Sequence, residues 1–349
     1  MFRCFGVDPK TIKDKYAQAS TTAVKYLNHI YKHEDKHKDE DYSNILFVIL
    51  PYFNFCKSRR RYILFMEFLD RIKKYKDIKI VISEATNTEE FDLPNDLDDI
   101  FCHHGYKLKS EYWCKENLIN LAVKNLPKTW KYIAWIDADL TFLNENWVED
   151  TIRELDNNEF IQLFESAIHM GPHDEAMKID KSFGYMYKKS NTEWRSDAKY
   201  GYWHCGFAWA CNRYAFEKTN GLIDFSILGS GDYHIAMALI NRVEDSFPKE
   251  KEKIHPNFYQ KLKDYEALVR IYKIKLSYIP GTILHHWHGR REDRRYVERW
   301  NILYEHYYNP EEDIEYDEEG LLNLSEYGKR MELDIMQYFI DRREDNMVV

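Results

Sequence analysis

The chain has 349 residues, with 50 Lys and Arg against 59 Asp and Glu, a formal charge of −9. That balance excludes a general nucleic-acid coat and a polybasic membrane anchor, and 44% hydrophobic with 31% charged residues excludes wholesale disorder. Aromatic residues reach 16%, which suits a carbohydrate-handling surface as well as it suits a Tyr-rich core. The start of the chain lacks the apolar run of a signal peptide, and no stretch approaches the roughly 20 apolar residues of a spanning helix. The expectation is a cytoplasmic protein with no transmembrane segment. Six scattered cysteines without CxxC pairs predict reduced, structural thiols, and the sequon Asn323-Leu324-Ser325 reads as a chance match.

In chain order, residues 1–41 are polar and Lys-rich with weak helical periodicity, an N-terminal helical extension and linker. The apolar run Ile45–Tyr52 predicts a buried parallel strand. An amphipathic helix follows over Arg61–Tyr75, then a second buried strand at Lys79–Ser83 and an acidic loop over 85–100. Lys115–Leu126 reads as a helix and Trp130–Ile136 as a third buried strand. Strands alternating with helices predict a doubly wound α/β sheet, whose ligands bind at the carboxyl ends of the strands. Beyond it come the apolar runs Phe160–Phe164 and Phe207–Cys211, separated by a loop rich in Lys and Tyr over Asp180–Tyr202. A helix begins near Asp232, and a late strand covers Lys273–Ile279. After His306 the composition turns acidic, and a final amphipathic helix covers Ser325–Arg342. With no repeats and no hinge-like linker, the chain divides into an N-terminal extension (1–41), one domain (42–308) and an acidic C-terminal segment with a final helix (309–349).

Three constellations carry chemistry. Asp137-Ala138-Asp139 directly follows the strand ending at Ile136; in extended backbone, residues i and i+2 point the same way, so both carboxylates can face one ligand and share a hard divalent ion with it. Leu284-His285-His286-Trp287-His288-Gly289 follows a late strand and precedes Arg290, Arg291, Arg294, Arg295 and Arg299. Its histidines suit a metal ion and its arginines suit phosphate oxygens. Gly229-Ser230-Gly231-Asp232 lets backbone approach a ligand closely, with Asp232 at a helix start, as a cap or as a catalytic group.

Together these segments resemble the inverting, metal-dependent glycosyltransferases of GT-A fold, near the family 2 enzymes and the β-1,4-galactosyltransferase type, and have the look of those encoded by large DNA viruses. The resemblance spans roughly residues 45–300. Val48–Asn54 resembles the family's first nucleotide-binding strand and loop, which places Pro51 and Asn54 beside the nucleotide. Glu84 falls where an acidic residue meets the base. Tyr112–Ala122 is similar to the helix bearing a basic residue and an Asn, matched here by Lys115 and Asn120. Tyr132–Phe142 matches the strand with the paired acids, His204–His234 resembles the stretch leading to the catalytic acidic motif, and Leu284–Gly289 resembles the metal-binding His segment.

The fold so implied is GT-A, a mostly parallel nucleotide-binding sheet flanked by helices. The implied reaction moves a sugar from a nucleotide-diphosphate sugar, a UDP-sugar, to a hydroxyl of a glycan or glycoprotein. Glu84, Lys115 and Asp137 would hold the donor with Arg290 and Arg294 on its phosphates. Asp139 and His288, with His286 as runner-up, would coordinate Mn²⁺ or Mg²⁺, and Asp232 would act as general base. Trp203 and Trp209 are candidates for stacking on the acceptor, Trp209 being the more suited to the core. The chain departs from the family in offering a single acidic residue, Asp232, in the catalytic motif and three histidines for the metal. The same residues also admit a metal-dependent phosphohydrolase or nucleotidyltransferase, or a non-catalytic carbohydrate-binding relative.

Overall fold

A computed structural model describes residues 40–190, 203–247 and 251–347; the expected N-terminal extension lies outside them but for its last two positions. Strands β1 (Leu46–Phe53), β2 (Ile78–Thr86), β3 (Cys102–Lys107) and β4 (Tyr132–Ile136) alternate with helices α1 (Arg59–Ile72) and α2 (Lys115–Lys124). After the acidic pair come β5 (Leu140–Phe142), α3 (Trp147–Leu155), β6 (Phe160–Gln162), β7 (Ser166–Met170), β8 (Ala176–Ser182) and α4 (Phe183–Ser190). Next are β9 (Trp203–His204), β10 (Ala208–Asn212), α5 (Arg213–Lys218), α6 (Gly231–Leu239), α7 (Pro256–Ile271), β11 (Leu276–Tyr278) and β12 (Thr282–His285). Helix α8 (Trp300–Glu305), the hairpin β13 (Ile314–Tyr316) and β14 (Leu322–Leu324), and helix α9 (Glu332–Asp341) complete the chain.

The main sheet has seven strands in the order β11-β6-β10-β4-β1-β2-β3. Strands β1 to β4 are mutually parallel, β10 runs antiparallel between β4 and β6, and β11 returns parallel to β6. This is the mostly parallel α/β sheet flanked by helices that the alternation of elements predicts. β1 is apolar on both faces because both are covered: Phe47 and Ile49 pack towards α2, while Leu46, Val48 and Leu50 pack towards α1 and α3. α1 begins where the Ser58 hydroxyl accepts from Arg61 N (3.3 Å) and buries the stripe Leu64, Phe65, Phe68, Leu69 and Ile72 against that second face. Among the described residues no helix is long and apolar enough to cross a membrane, and the five described cysteines are unpaired. Asn323 of the sequon is 2% exposed in β14.

The structure differs from the sequence reading in three places. A five-stranded second sheet, β5-β12-β7-β8-β9, has no counterpart in it, and its β8, with α4, lies within the expected Lys- and Tyr-rich loop or just before it. β3, likewise unforeseen, is a polar edge strand. The segment 309–349 is no appendage: Leu322, Leu324, Met331, Ile335 and Phe339 enter the core with α2 and β1. Asn117 of α2 holds it by accepting from Leu322 N (3.0 Å) and donating to Gly320 O (3.1 Å).

The C-terminal tail closes over the start of α1. Asp345 accepts from Ser58 Oγ (2.7 Å), Arg59 N (3.1 Å) and Arg60 N (2.7 Å), at the helix end that favours negative charge. Buried Glu344 accepts from Arg61 Nε (2.7 Å) and Arg342 Nε (2.9 Å). Removing one member of a buried ion pair strands the others, so Glu344→Gln is expected to lower the unfolding free energy by about 3–5 kcal/mol in urea titration. An unchanged midpoint would mean that the tail contributes nothing to the stability of the fold.

Candidate active site

The site is built where the main sheet hands the chain to the second sheet. β4 ends at Ile136, the backbone turns through Asp137-Ala138-Asp139, and β5 starts at Leu140. The two acids therefore sit in a turn and not in extended strand, and they take different partners. Asp137 pairs with the Lys115 ammonium at the start of α2, and its backbone N–H donates to Phe207 O (2.8 Å). Burial works against the charge on Lys115, but Asp137 and Asp232 outweigh it, so the amine stays charged.

Asp139 meets the histidine segment through strand pairing. β12 lies antiparallel to β5 with His285 opposite Leu140, and His286 N donates to Asp139 O (2.8 Å). His286 meets Thr141 Oγ1 at 2.8 Å on one face of β12 and His285 points to the other. Asp139, in the turn before β5 and so free of the strand's alternation, directs its carboxylate to His285's side. Past β12 the chain bends through Trp287 to Gly289, whose φ of +88° suits glycine, and the bend brings His288 back to the side of His285. His288 Nε2 is 2.8 Å from Asp139 Oδ2 and 3.3 Å from His285 Nε2, which is itself 3.7 Å from Asp139 Oδ2. The cluster is thus Asp139, His285 and His288. The geometry brings His285, and not the runner-up His286, beside Asp139 and His288, because the side chain of Asp139 leaves from a turn and not from the strand.

The donor chemistry fits a divalent cation. The Arg294 guanidinium lies 2.9 Å from His288 Nε2; guanidinium has no lone pair to offer, so that nitrogen is an acceptor. Burial, with help from Arg294, pushes the His288 pKa down, and burial pushes that of His285 well down, which keeps both imidazoles neutral. Two imidazole nitrogens and a carboxylate oxygen lie within 4.8 Å of one another, a cation there taking the place of the Arg294 contact on His288, and Asp139 Oδ1 is buried without a hydrogen-bond partner among the described residues. Metal bonds of about 2.0–2.2 Å place neighbouring ligand atoms roughly 3 Å apart, close to the spacings of His288 with its two neighbours. Replacing His286 by Ala should therefore leave Mn²⁺ affinity unchanged in calorimetry; a lost Mn²⁺ signal would put His286 back among the ligands.

Asp232 faces the same site from α6. It is not the cap of that helix: Ser230 is, in the left-handed region at φ +76°, with its hydroxyl accepting from Arg299 (2.6 Å). Asp232 Oδ1 accepts from Tyr233 N (2.8 Å), and its Oδ2 lies against Gly206, where a Cβ would stand 2.8 Å from that oxygen and 3.1 Å from His204 Cε1. Its charge acts on Lys115, Glu116 and Asp137, which ties the acid of α6 to the Lys115–Asp137 pair.

Several residues expected to hold the nucleotide are committed to the fold. Glu84, 0% exposed, accepts from Asp92 N (2.7 Å) and Leu93 N (3.1 Å) and pairs with His103 (2.9 Å), which clamps the loop after β2. Asn120 bonds Leu222 N (2.8 Å) and O (3.0 Å). Asn54 closes the turn into α1 by bonding Ser58 N (2.8 Å) and O (3.0 Å), and Pro51 sits in β1 opposite Ser83. Arg290 pairs with Asp293 (3.2 Å), and Arg294 turns into the cluster instead of outwards. Trp203 (3% exposed) and Trp209 (2%) are both core residues, so neither offers a stacking surface. Beside the end of β1, Phe53, Asn54, Phe55, Arg61, Phe339 and the tail residues 342–346 line a cavity of ≈ 510 Å³. Glu116, next to Lys115 in α2, is a buried carboxyl that the sequence reading did not single out.

No family model matches the chain, and no curated protein is significantly similar to it in sequence. Among solved structures, it is similar to a mutant of Drosophila β1,4-galactosyltransferase 7 in complex with manganese, UDP-Gal and xylobiose, at 13% identity and TM-score 0.40 over 80% of this chain and 93% of that one. A mannosyltransferase from Pyrobaculum calidifontis in complex with GDP-Man and Mn²⁺ matches at 14% identity and TM-score 0.41 over 84% and 73%. A 4-diphosphocytidyl-2C-methyl-D-erythritol synthase from Anaerococcus prevotii matches at 14% and 0.34 over 68% and 88%.

Proposed function

We propose that the chain is a metal-dependent glycosyltransferase that moves a sugar from a nucleotide-diphosphate sugar, a UDP-sugar, to a hydroxyl of a glycan or glycoprotein, with inversion at the anomeric carbon. The observation that carries the reading is the convergence of Asp139, His285 and His288 at the carboxyl end of β4, beside the Lys115–Asp137 pair and across from Asp232. Ligands of open α/β sheets bind at that end of the strands. Asp139, His285 and His288 would hold a divalent ion, which would supply positive charge against that building on the leaving diphosphate, and the mixed carboxylate and imidazole set favours Mn²⁺.

The protein's own groups account for the rest. Lys115 stays an ammonium and gives the diphosphate a fixed cation in a buried setting, where charge acts strongly. Asp232, half-buried at the start of α6, takes the proton of the acceptor hydroxyl. The acceptor oxygen then bonds to the anomeric carbon as the bond from that carbon to the diphosphate oxygen breaks on the opposite face. Tyr233 N–H and the close fit to Gly206 hold the Asp232 carboxylate in one orientation.

A calorimetric and thermal-shift screen of UDP-, GDP- and dTDP-sugars, with and without Mn²⁺, tests this reading. Mn²⁺-dependent binding of a UDP-sugar followed by release of intact UDP is the expected result. Release of UMP or sugar phosphate would instead mark a phosphohydrolase or nucleotidyltransferase. Binding without any turnover would mark a carbohydrate-binding relative.

A further inference from the structure

Glu116 is 4% exposed, in the first turn of α2 next to Lys115, and its carboxyl is not used by the fold. Beyond its own backbone N–H, no described residue offers it a hydrogen bond. It lies directly under the first residue of α6: a Cβ on Gly231 would fall 2.6 Å from Glu116 Cδ and 2.7 Å from Oε1. Asp232 is the next residue along. A buried polar group without a partner is unfavourable unless something in the working complex supplies one.

We propose that Glu116 is a second carboxyl of the acceptor site, gripping a hydroxyl of the incoming sugar beside the one that Asp232 deprotonates. The proposal deepens the transferase reading and rests on it. The groups acting on Glu116 are Lys115, Asp232 and Asp137. Burial, aided by the two aspartates, outweighs Lys115 and pushes its pKa up to about 8. At neutral pH it is a neutral acid that donates through O–H and accepts through C=O. The Asp232 carboxylate only accepts. A sugar hydroxyl does both, so the pair can hold two neighbouring hydroxyls in opposite senses, a match for polyhydroxylated acceptors.

The test compares wild type with Glu116→Ala and Glu116→Gln, using Mn²⁺, the UDP-sugar found in the screen, and methyl glycosides of xylose, glucose, galactose and N-acetylglucosamine. Hydrolysis of the donor by water, which needs no acceptor sugar, is measured in all three to separate an effect on the acceptor from one on the donor. Glu116→Ala should raise the acceptor KM about tenfold, the loss of one good hydrogen bond. Glu116→Gln, which keeps a neutral donor and acceptor, should restore most of it and remove the loss of acceptor affinity above about pH 8. Wild-type acceptor KM in Glu116→Ala, with donor hydrolysis intact, would overturn the proposal and leave the transferase reading standing. No turnover of any donor by the wild type would sink both.

A second readout needs no substrate. The folded pKa of Glu116 lies above its ordinary 4.5, so between these values the unfolded chain has released a proton that the native one keeps. Stability therefore falls as pH rises through that window and is level above it. The melting temperature of wild type should drop relative to Glu116→Gln from about pH 4.5 to about pH 8. A gap that does not vary with pH would overturn the neutral-acid role.

Discussion

Asp232→Asn is expected to slow sugar transfer by about 10²–10⁴-fold, the scale of a lost general base, with Mn²⁺ and UDP binding unchanged. The substitution is nearly isosteric. The carbonyl oxygen that Asn retains can still accept from Tyr233 N, so the start of α6 is kept, and Ser230, the actual cap, is untouched. What disappears is the proton acceptor and the negative charge beside Lys115 and Glu116. The measurement is kcat with saturating donor, alongside calorimetry of UDP with Mn²⁺. An unaltered rate would reduce Asp232 to a helix-start residue and remove it from the mechanism.

Asp139→Ala is the second large effect. Loss of a partner that merely supports a ligand lowers metal affinity 10–100-fold, so loss of the carboxylate itself should lower Mn²⁺ affinity by at least about 10²-fold. With it goes the Mn²⁺-dependent part of UDP binding. The backbone link from His286 N to Asp139 O does not depend on the side chain, so β5 and β12 should stay paired and the variant should fold. His285→Ala and His288→Ala should weaken Mn²⁺ to comparable extents, since both nitrogens share the point occupied by Asp139 Oδ2. Normal Mn²⁺-dependent binding in Asp139→Ala would count against the whole ligand set.

The α/β class was readable because β1, β2 and β4 are covered on both faces and so appear as unbroken apolar runs. The acid pair was readable because it ends such a run. The choice between His285 and His286 was not, because it depends on how Asp139 leaves the turn before β5. The register, with His285 opposite Leu140, would by itself set His286 beside Asp139. Glu84 and Asn120 have the right type and place for binding a ligand, yet they spend their polar atoms on the loop after β2 and on Leu222. Burial and hydrogen bonding alone separate such residues from free ones. The second sheet escaped notice because its strands are short and half polar. The amphipathic pattern of the final helix marked Met331, Ile335 and Phe339 as a buried face, but the acidic run before it hid Leu322, and nothing local says that both pack on α2 and β1.

Those positions have a consequence for how the protein is made. The face of β1 carrying Phe47, Ile49 and Phe53 shares its core with residues near the far end of the chain, and Tyr112 and Asn117 bond the backbone of Leu322. During synthesis from the N-terminus, that face is not fully covered until Phe339, 286 residues after Phe53, has been made. Contacts so distant in sequence also form slowly. A chaperone that shields that face until Phe339 has been made should therefore raise the yield of folded protein.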